Sequence, residues 1–202
     1  MFDSVIAKEG QKAVGISFIA MIISILIECG FLVFITFVLT LFLIYIFRNK
    51  QINFNNNTSD IVAPISGVIT AIDTIDNKKE IFIDVSLCSN HILRAVEDGD
   101  YEVTYNRGLN LNLSSYKAKK LNEKAIIKFA NSTLNLYSSM YNIAIDVTQT
   151  NSLRKCEKIG IFLQGQITVT IENTNHIVVK IGDKVSSGET TLAILPTKEG
   201  EE

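Results

Sequence analysis

The chain has few of the residues that build metal and disulfide sites. Its 202 residues include no Trp, two Pro, two His and three Cys. The cysteines, Cys29, Cys88 and Cys156, are far apart and odd in number. Such spacing fits neither a disulfide framework nor a paired-cysteine zinc site, and no metal site is expected. A reducing compartment is the simpler interpretation, and the scarcity of Pro argues against a disordered linker.

An excess of positive charge is also lacking. Nineteen basic and 21 acidic residues leave a formal net charge of −2. No strongly basic face is implied, so nucleic acid is excluded as an expected partner.

Long apolar sequence is what the chain has in quantity. Mean hydropathy is +0.25 although 20% of the residues are charged. Nearly all of the excess lies near the N-terminus, where Glu28 is the single charge between Ala13 and Phe47. This stretch is too long for a secretory signal peptide and lacks a clear cleavage motif.

The apolar stretch is interrupted once, at Glu28-Cys29-Gly30. A Glu is tolerated at a membrane interface and Gly favours a turn. The sequence therefore predicts a transmembrane hairpin with short spans at 13–27 and 31–47. The alternative is a single span at 31–47, with the first segment lying in the interface.

Charges outside the predicted spans set the orientation. Lys8 and Lys12 precede the first span, Arg48 and Lys50 follow the second, and the turn has no Lys or Arg. By the positive-inside rule both ends are cytoplasmic. The expected location is the bacterial inner membrane, with the soluble domain on the cytoplasmic side.

The remaining sequence predicts a mainly β domain, α+β at most. Apolar residues alternate with polar ones at 81–85, 101–105, 141–147 and 167–171, which is typical of half-buried strands. Only 113–124 has helix-forming composition without clear alternation. We expect a compact sandwich or barrel of about eight strands. The predicted organisation is an anchor at 1–50, a linker at 51–59, the β domain at 60–196 and a polar tail at 197–202.

Six short segments, in order along the chain, resemble motifs of the short, membrane-anchored form of phosphatidylserine decarboxylase. These segments are Ile6–Gly10, Phe47–Asn49, Ala63–Gly67, His91–Gly99, Asn122–Lys124 and Gly182–Ala193. Lys50 stands where that family has Pro. Biotinyl and lipoyl carriers share a similar Gly-Asp-x-Val hairpin, but no Met-Lys-Met turn is present here.

The resemblance implies a specific chemistry. In that family a proenzyme cuts itself between Gly and Ser, and the Ser becomes an N-terminal pyruvoyl group. This group forms a Schiff base with phosphatidylserine and serves as electron sink for loss of CO₂. An Asp and a His assist the Ser in a triad-like arrangement.

The site residues implied by the resemblance are largely replaced. The family's Gly-x-x-x-Phe-Gly-Ser stretch aligns with Gly160–Gln166, so Gln166 stands at the position of the cleaving Ser. A shift by one residue would put Gly165 there, and neither residue has a hydroxyl. The family's Asp falls on Ser66, and the His is kept as His91. The sequence predicts no intact catalytic set and no pyruvoyl cofactor.

Other polar residues offer weaker candidates. Thr168 could attack only in a different register and with a new base. Cys156 and the pair Ser186-Ser187 lie at predicted turns in the wrong places. His176 is expected to be exposed in a polar turn, and Asp98-Gly99 is first a turn signal.

Three functions remain open from the sequence. The first is an inactive, membrane-bound member of the family that binds phospholipid, associates with itself or assists an active paralogue. The second is an active decarboxylase with an unrecognised nucleophile. The third is a β-domain adaptor held at a membrane.

Overall fold

The computed structural model describes residues 8–48, 60–142, 145–148, 152–173 and 175–195. The chain divides into two compact units, residues 1–51 and residues 52–202. The predicted linker at 51–59 and the predicted tail at 197–202 lie outside the described residues.

The N-terminal unit contains two helices, α1 (Lys8–Leu26) and α2 (Gly30–Ile46). Glu28 between them has a positive φ of 57°, which lets the chain reverse over three residues. At the far end, Gly10 leaves room for the ring of Phe47, because a Cβ on Gly10 would overlap that ring. The two helices therefore pack antiparallel along their length.

The predicted transmembrane hairpin is wrong. Within the described residues, no helix combines the length and apolar character needed to cross a membrane. Helix α2 has no charged residue but only 17 residues, about 26 Å at 1.5 Å per residue against a hydrocarbon core of about 30 Å. Helix α1 begins at Lys8 and includes Lys12. The single span at 31–47 fails for the same reason.

The C-terminal unit is mainly β, as predicted. Its strands, in chain order, are β1 (Asp60–Val62), β2 (Gly67–Ile75), β3 (Lys78–Val85), β4 (Ile92–Arg94), β5 (Glu102–Asn106), β6 (Lys124–Lys128), β7 (Ser132–Ser138), β8 (Asp146–Val147), β9 (Lys158–Ile161), β10 (Gly165–Glu172), β11 (His176–Ile177), β12 (Lys184–Val185) and β13 (Thr191–Ile194). One short helix, α3 (Tyr116–Leu121), lies between β5 and β6.

These strands form three sheets in which every pairing is antiparallel. The largest has seven strands in the order β12-β2-β3-β10-β7-β6-β5. The other two have three strands each, in the orders β1-β13-β11 and β4-β9-β8. The prediction of about eight strands matches the eight that have four or more residues. The other five have only two or three residues, too few to show an alternating pattern.

One hydrophobic core joins all three sheets. Apolar side chains on the inner face of the large sheet are fully buried, among them Ile81 and Ile83 on β3, Leu134 on β7, and Ile167 and Val169 on β10. The same core includes residues from the two smaller sheets. Each such side chain contributes about 1.5–3 kcal/mol relative to exposure. The alternate residues of these strands, polar and aromatic, face outward.

Two expected elements differ from the structure in detail. The predicted strand at 141–147 is a strand only at Asp146–Val147; Tyr141 lies in a turn, and residues 143 and 144 are outside the described residues. The helical segment predicted within 113–124 is α3, whose N-cap Ser115 accepts a hydrogen bond from the Ala118 N–H at 3.2 Å.

Candidate functional site

Strand β10 lies at the centre of the large sheet and begins at the expected cleavage position. In register, Gly165 lies between Val85 and Ser138, and Gln166 lies between Asp84 and Tyr137. Both neighbouring strands thus pair with the Gly165-Gln166 segment.

The side chain of Gln166 is held on the outer face by two charged residues. Its Nε2 donates to Asp84 Oδ1 at 2.9 Å, and its Oε1 accepts from Lys119 Nζ at 2.7 Å. Both ends of the amide are therefore used. Hydrogen bonds to charged groups contribute about 1.5–3 kcal/mol each, so this clamp fixes the side chain.

Gly165 supplies a conformation that other residues rarely adopt. Its φ is +147°, and a Cβ placed there would meet the Tyr137 carbonyl oxygen and lie 2.7 Å from Phe162 Cζ. The glycine at this position is therefore required by the close approach of a carbonyl and a ring.

Lys119 reaches the site from α3, which lies over the outer face. Its Nζ is 4.4 Å from the centroid of the Tyr137 ring and 5.3 Å from that of Phe82. Burial lowers the pKa of Lys119; the carboxylates of Glu80 and Asp84 oppose this shift and Lys124 adds to it. The two carboxylates thus offset only part of the effect of burial on the Lys119 ammonium group.

His91, the histidine that the family resemblance implies, is buried, at 2% exposure. Its Nε2 lies 3.0 Å from the Leu87 carbonyl oxygen. A carbonyl can only accept, so Nε2 carries a proton, and a proton from a nucleophile would have to go to the buried Nδ1. The His91 carbonyl in turn accepts from the Phe162 N–H at 2.9 Å, which fixes the segment next to β9.

Ser66, at the expected Asp position, has a structural partner. Its Oγ accepts a hydrogen bond from the Ser187 N–H at 3.0 Å. Ser187 is 2% exposed, and its hydroxyl lies 3.1 Å from the Pro64 carbonyl and 2.9 Å from the Ile92 carbonyl. Ser187 is therefore a structural residue, which joins its own segment to those of Pro64 and Ile92.

The structure brings the backbones of the predicted site residues to one end of the large sheet. Ser66 immediately precedes β2, His91 follows the loop after β3, and Gly165 begins β10. The side chains of Ser66, His91 and Gln166 have the separate partners described above. No hydroxyl is present at 165 or 166, so these residues do not fit a pyruvoyl group.

The weaker candidates occupy structural positions. The hydroxyl of Thr168 is buried and has no hydrogen-bond partner within the part of the chain that is described. Cys156 is buried at a turn with φ 66°, donates to the Gly188 carbonyl at 3.3 Å, and burial raises the pKa of its thiol. His176 is exposed at the start of β11, and Gly99 has the positive φ expected of a turn.

A polar pocket of about 260 Å³ opens beside Gln166. Its polar lining consists of Asp84, Asn112, Ser114, Ser139, Gln164 and Gln166. The volume is close to the lower end of the range for small-molecule sites, about 300–1,000 Å³. Asp84 is its one charged lining residue among those described, and the ammonium group of Lys119 lies beside the pocket, 2.7 Å from Gln166 Oε1.

Sequence reasoning did not identify Asp84 or Lys119 as site residues. Asp84 alternates with the buried residues of β3, so its outward direction was readable from the pattern. Lys119 lies within the segment predicted as helical, but no sequence pattern indicated where α3 would pack.

A sequence model of the family described as phosphatidylserine decarboxylase matches residues 39–193. The chain belongs to this family. A phosphatidylserine decarboxylase proenzyme of Pelagibacter ubique (strain HTCC1062) is 28% identical over 207 residues, covering 93% of this chain and 95% of the relative. Those of Desulfotalea psychrophila and Wolbachia pipientis wMel are 23% and 26% identical, covering 95% and 91% of the relatives. No solved structure gives a significant match.

Proposed function

We propose that this chain is a member of the phosphatidylserine decarboxylase family that neither cuts itself nor decarboxylates, and that it binds the headgroup of an aminophospholipid in the pocket beside Gln166. The observation that carries the proposal is the Gln166 side chain, held by Asp84 and Lys119 where the family's chemistry requires a hydroxyl. The chain belongs to the family over most of its length, and Gln166 stands at the position of the reactive hydroxyl.

The absence of processing follows from the chemistry of positions 165 and 166. Self-cleavage in the family begins when a hydroxyl attacks the preceding carbonyl to form an ester. Gly165 has no side chain, and a carboxamide that already accepts from an ammonium is a poor nucleophile. An active enzyme would need another hydroxyl. Thr168 is the next residue along the chain that has one, but no described side chain accepts its proton.

The charge of the pocket supports an amine-bearing ligand. The carboxylate of Asp84 is exposed to the pocket, and its Oδ1 accepts from the neutral amide of Gln166. An ammonium group brought to this carboxylate would gain a charge-assisted hydrogen bond. Phosphatidylserine and phosphatidylethanolamine both carry such a group. We place the protein in phospholipid metabolism, as a lipid-binding partner of an active paralogue or of a second copy of itself.

We also retain a bacterial inner membrane location, with the β unit on the cytoplasmic side, as part of this proposal. The bacterial sources of the relatives support the proposal that the membrane is a bacterial one. The association would be with membrane phospholipid through the headgroup pocket.

Asp84→Asn should weaken binding of glycerophosphoserine about fivefold to tenfold, because the substitution removes the charge that attracts the amine. The Asn side chain can still accept from Gln166, so the clamp is kept. Calorimetric titration of the full chain, with glycerol phosphate as the ligand lacking an amine, measures the effect.

In parallel, vesicles containing phosphatidylserine should release no CO₂ on incubation with the unmodified chain.

Asp73→Asn is the matched control. Asp73 is exposed on β2 of the same sheet, outside the pocket. Equal affinity of Asp84→Asn and the unmodified chain, or CO₂ release at a rate that depends on protein, would overturn the proposal.

A further inference from the structure

A second cavity, of about 340 Å³, lies between α3 and the strands β6 and β7. We call it the basic pocket. The lining residues that define it are Arg107, Tyr116, Lys119, Lys120, Lys124 and Tyr137. Four of these six side chains are cations, and no acidic residue is among its described lining.

The three lysines of the basic pocket are uncompensated by ion pairs. Arg107 pairs with the buried carboxylate of Glu123. Another ion pair joins Lys78 and Glu172, and neither of these lines the pocket. Lys124 lowers the pKa of Lys119, as a like charge at close range does, while Glu80 and Asp84, which lie outside the lining of the pocket, act more strongly in the opposite direction. An anion in the pocket would remove this repulsion.

Aromatic rings hold the ammonium groups in place. Lys124 Nζ is 5.0 Å and Lys119 Nζ 4.4 Å from the centroid of the Tyr137 ring, so one ring supports two cations. Lys120 Nζ is 4.8 Å from the centroid of the Tyr116 ring. These contacts already restrict the lysine side chains, so that less conformational entropy is lost when they bind a ligand.

We propose that the basic pocket binds a phosphate group, carried either by a lipid headgroup or by a small soluble phosphate ester. Convergent cations with several N–H donors match the oxygens of a phosphate, which accept several charge-assisted hydrogen bonds at once. The site is separate from the amine-binding pocket proposed above and does not rest on that proposal. Lys120 and Lys124 line the basic pocket and not the pocket beside Gln166.

The double variant Lys120→Gln/Lys124→Gln tests the site. Inorganic phosphate is titrated by calorimetry into the full chain, kept in an uncharged maltoside detergent, with chloride at matched ionic strength as the blank. The unmodified chain should bind phosphate saturably. The affinity of the double variant for phosphate should be lower by at least about tenfold, because it loses two charged donors.

Two further variants serve as controls. Lys128→Gln makes the same Lys-to-Gln substitution at a single residue on the same face of β6, four residues from Lys124 and outside the pocket. It should bind phosphate like the unmodified chain. The variant Lys120→Arg/Lys124→Arg keeps the charges and should retain binding. Thermal unfolding followed by circular dichroism verifies that each variant is folded.

Vesicle flotation distinguishes the two sources of the phosphate. Galactolipid vesicles with and without a minor fraction of phosphatidic acid are mixed with the unmodified and double variant chains. An increase in flotation that requires both phosphatidic acid and the two lysines assigns a lipid headgroup. Lysine-dependent binding of inorganic phosphate without that increase assigns a soluble ester. The proposal is overturned if the unmodified chain binds no phosphate saturably, or if Lys128→Gln loses as much as the double variant.

Discussion

Replacement of Gly165 by Ala should lower the free energy of unfolding by roughly 3–5 kcal/mol, a large share of the stability of a small domain. Two costs combine at this position. The φ of +147° is unfavourable for any residue with a Cβ, and that Cβ would meet the Tyr137 carbonyl oxygen and the Phe162 ring. Phe162 is fully buried, so it cannot move aside without opening the core. Urea unfolding followed by circular dichroism, which needs no Trp, measures the change.

Gly99→Ala separates these two costs. Gly99 also has a positive φ, +128°, but a Cβ there would have nothing within 4 Å. Only the conformational strain applies, and the expected loss is about 1 kcal/mol. If the two variants lose equal stability, the close approach of Tyr137 and Phe162 to Gly165 is not what requires a glycine there.

The second large effect is expected from restoring the two replaced site residues. Gln166→Ser alone should stay uncut, because His91 Nε2 already donates to the Leu87 carbonyl and Ser66 offers no carboxylate. Ser66→Asp alone should stay uncut for want of a hydroxyl. The double variant Ser66→Asp/Gln166→Ser should cut itself between residues 165 and 166, because Gly165 keeps its conformation and the three segments already meet at one end of the sheet. Electrophoresis and mass spectrometry after prolonged incubation detect the two chains.

A different pattern in these variants would identify a different base. Cleavage of Gln166→Ser alone would mean that Asp84, which lies 2.9 Å from the Gln166 amide, can deprotonate a hydroxyl at this position. Failure of the double variant to cut would contradict the expectation that a hydroxyl at position 166 and a carboxylate at position 66 suffice for self-cleavage.

The mainly β fold could be predicted because the longer strands carry a complete alternating pattern. Ile81 and Ile83 are buried, and the intervening Phe82 and Asp84 point to the outer face, as the period of two requires. Strands of two residues, such as β8 and β12, carry no such pattern. They form because longer neighbours offer unpaired backbone groups, a tertiary effect that local sequence does not contain.

The helical N-terminal unit shows a limit of hydropathy. The sequence predicts two spans, at 13–27 and 31–47, divided at Glu28-Cys29-Gly30. The folded helices, however, have other bounds, Lys8–Leu26 and Gly30–Ile46. The first helix therefore includes charged residues, and the second is too short to cross a membrane. Helix boundaries decided whether a span was possible, and boundaries are the feature that sequence patterns locate least well.

The candidate site could be predicted only in part. The resemblance to the family pointed to Ser66, His91, Gly165 and Gln166, whose backbones meet at one end of the large sheet. The partners of Gln166 come from β3 and α3, far away in sequence, and the packing of α3 has no local signal. The basic pocket was hidden by the net charge of −2, because a sum over the chain does not report that Lys119, Lys120 and Lys124 lie together.

The central claim is that this family member keeps the scaffold and makes no pyruvoyl group. The intact mass of the purified full chain tests it most directly. We expect one species at 22.4 kDa, unchanged after prolonged incubation and unreactive toward a hydrazide that labels ketones. Two chains, with the smaller beginning at residue 166 or 168 and carrying a ketone, would contradict the claim and show an active proenzyme.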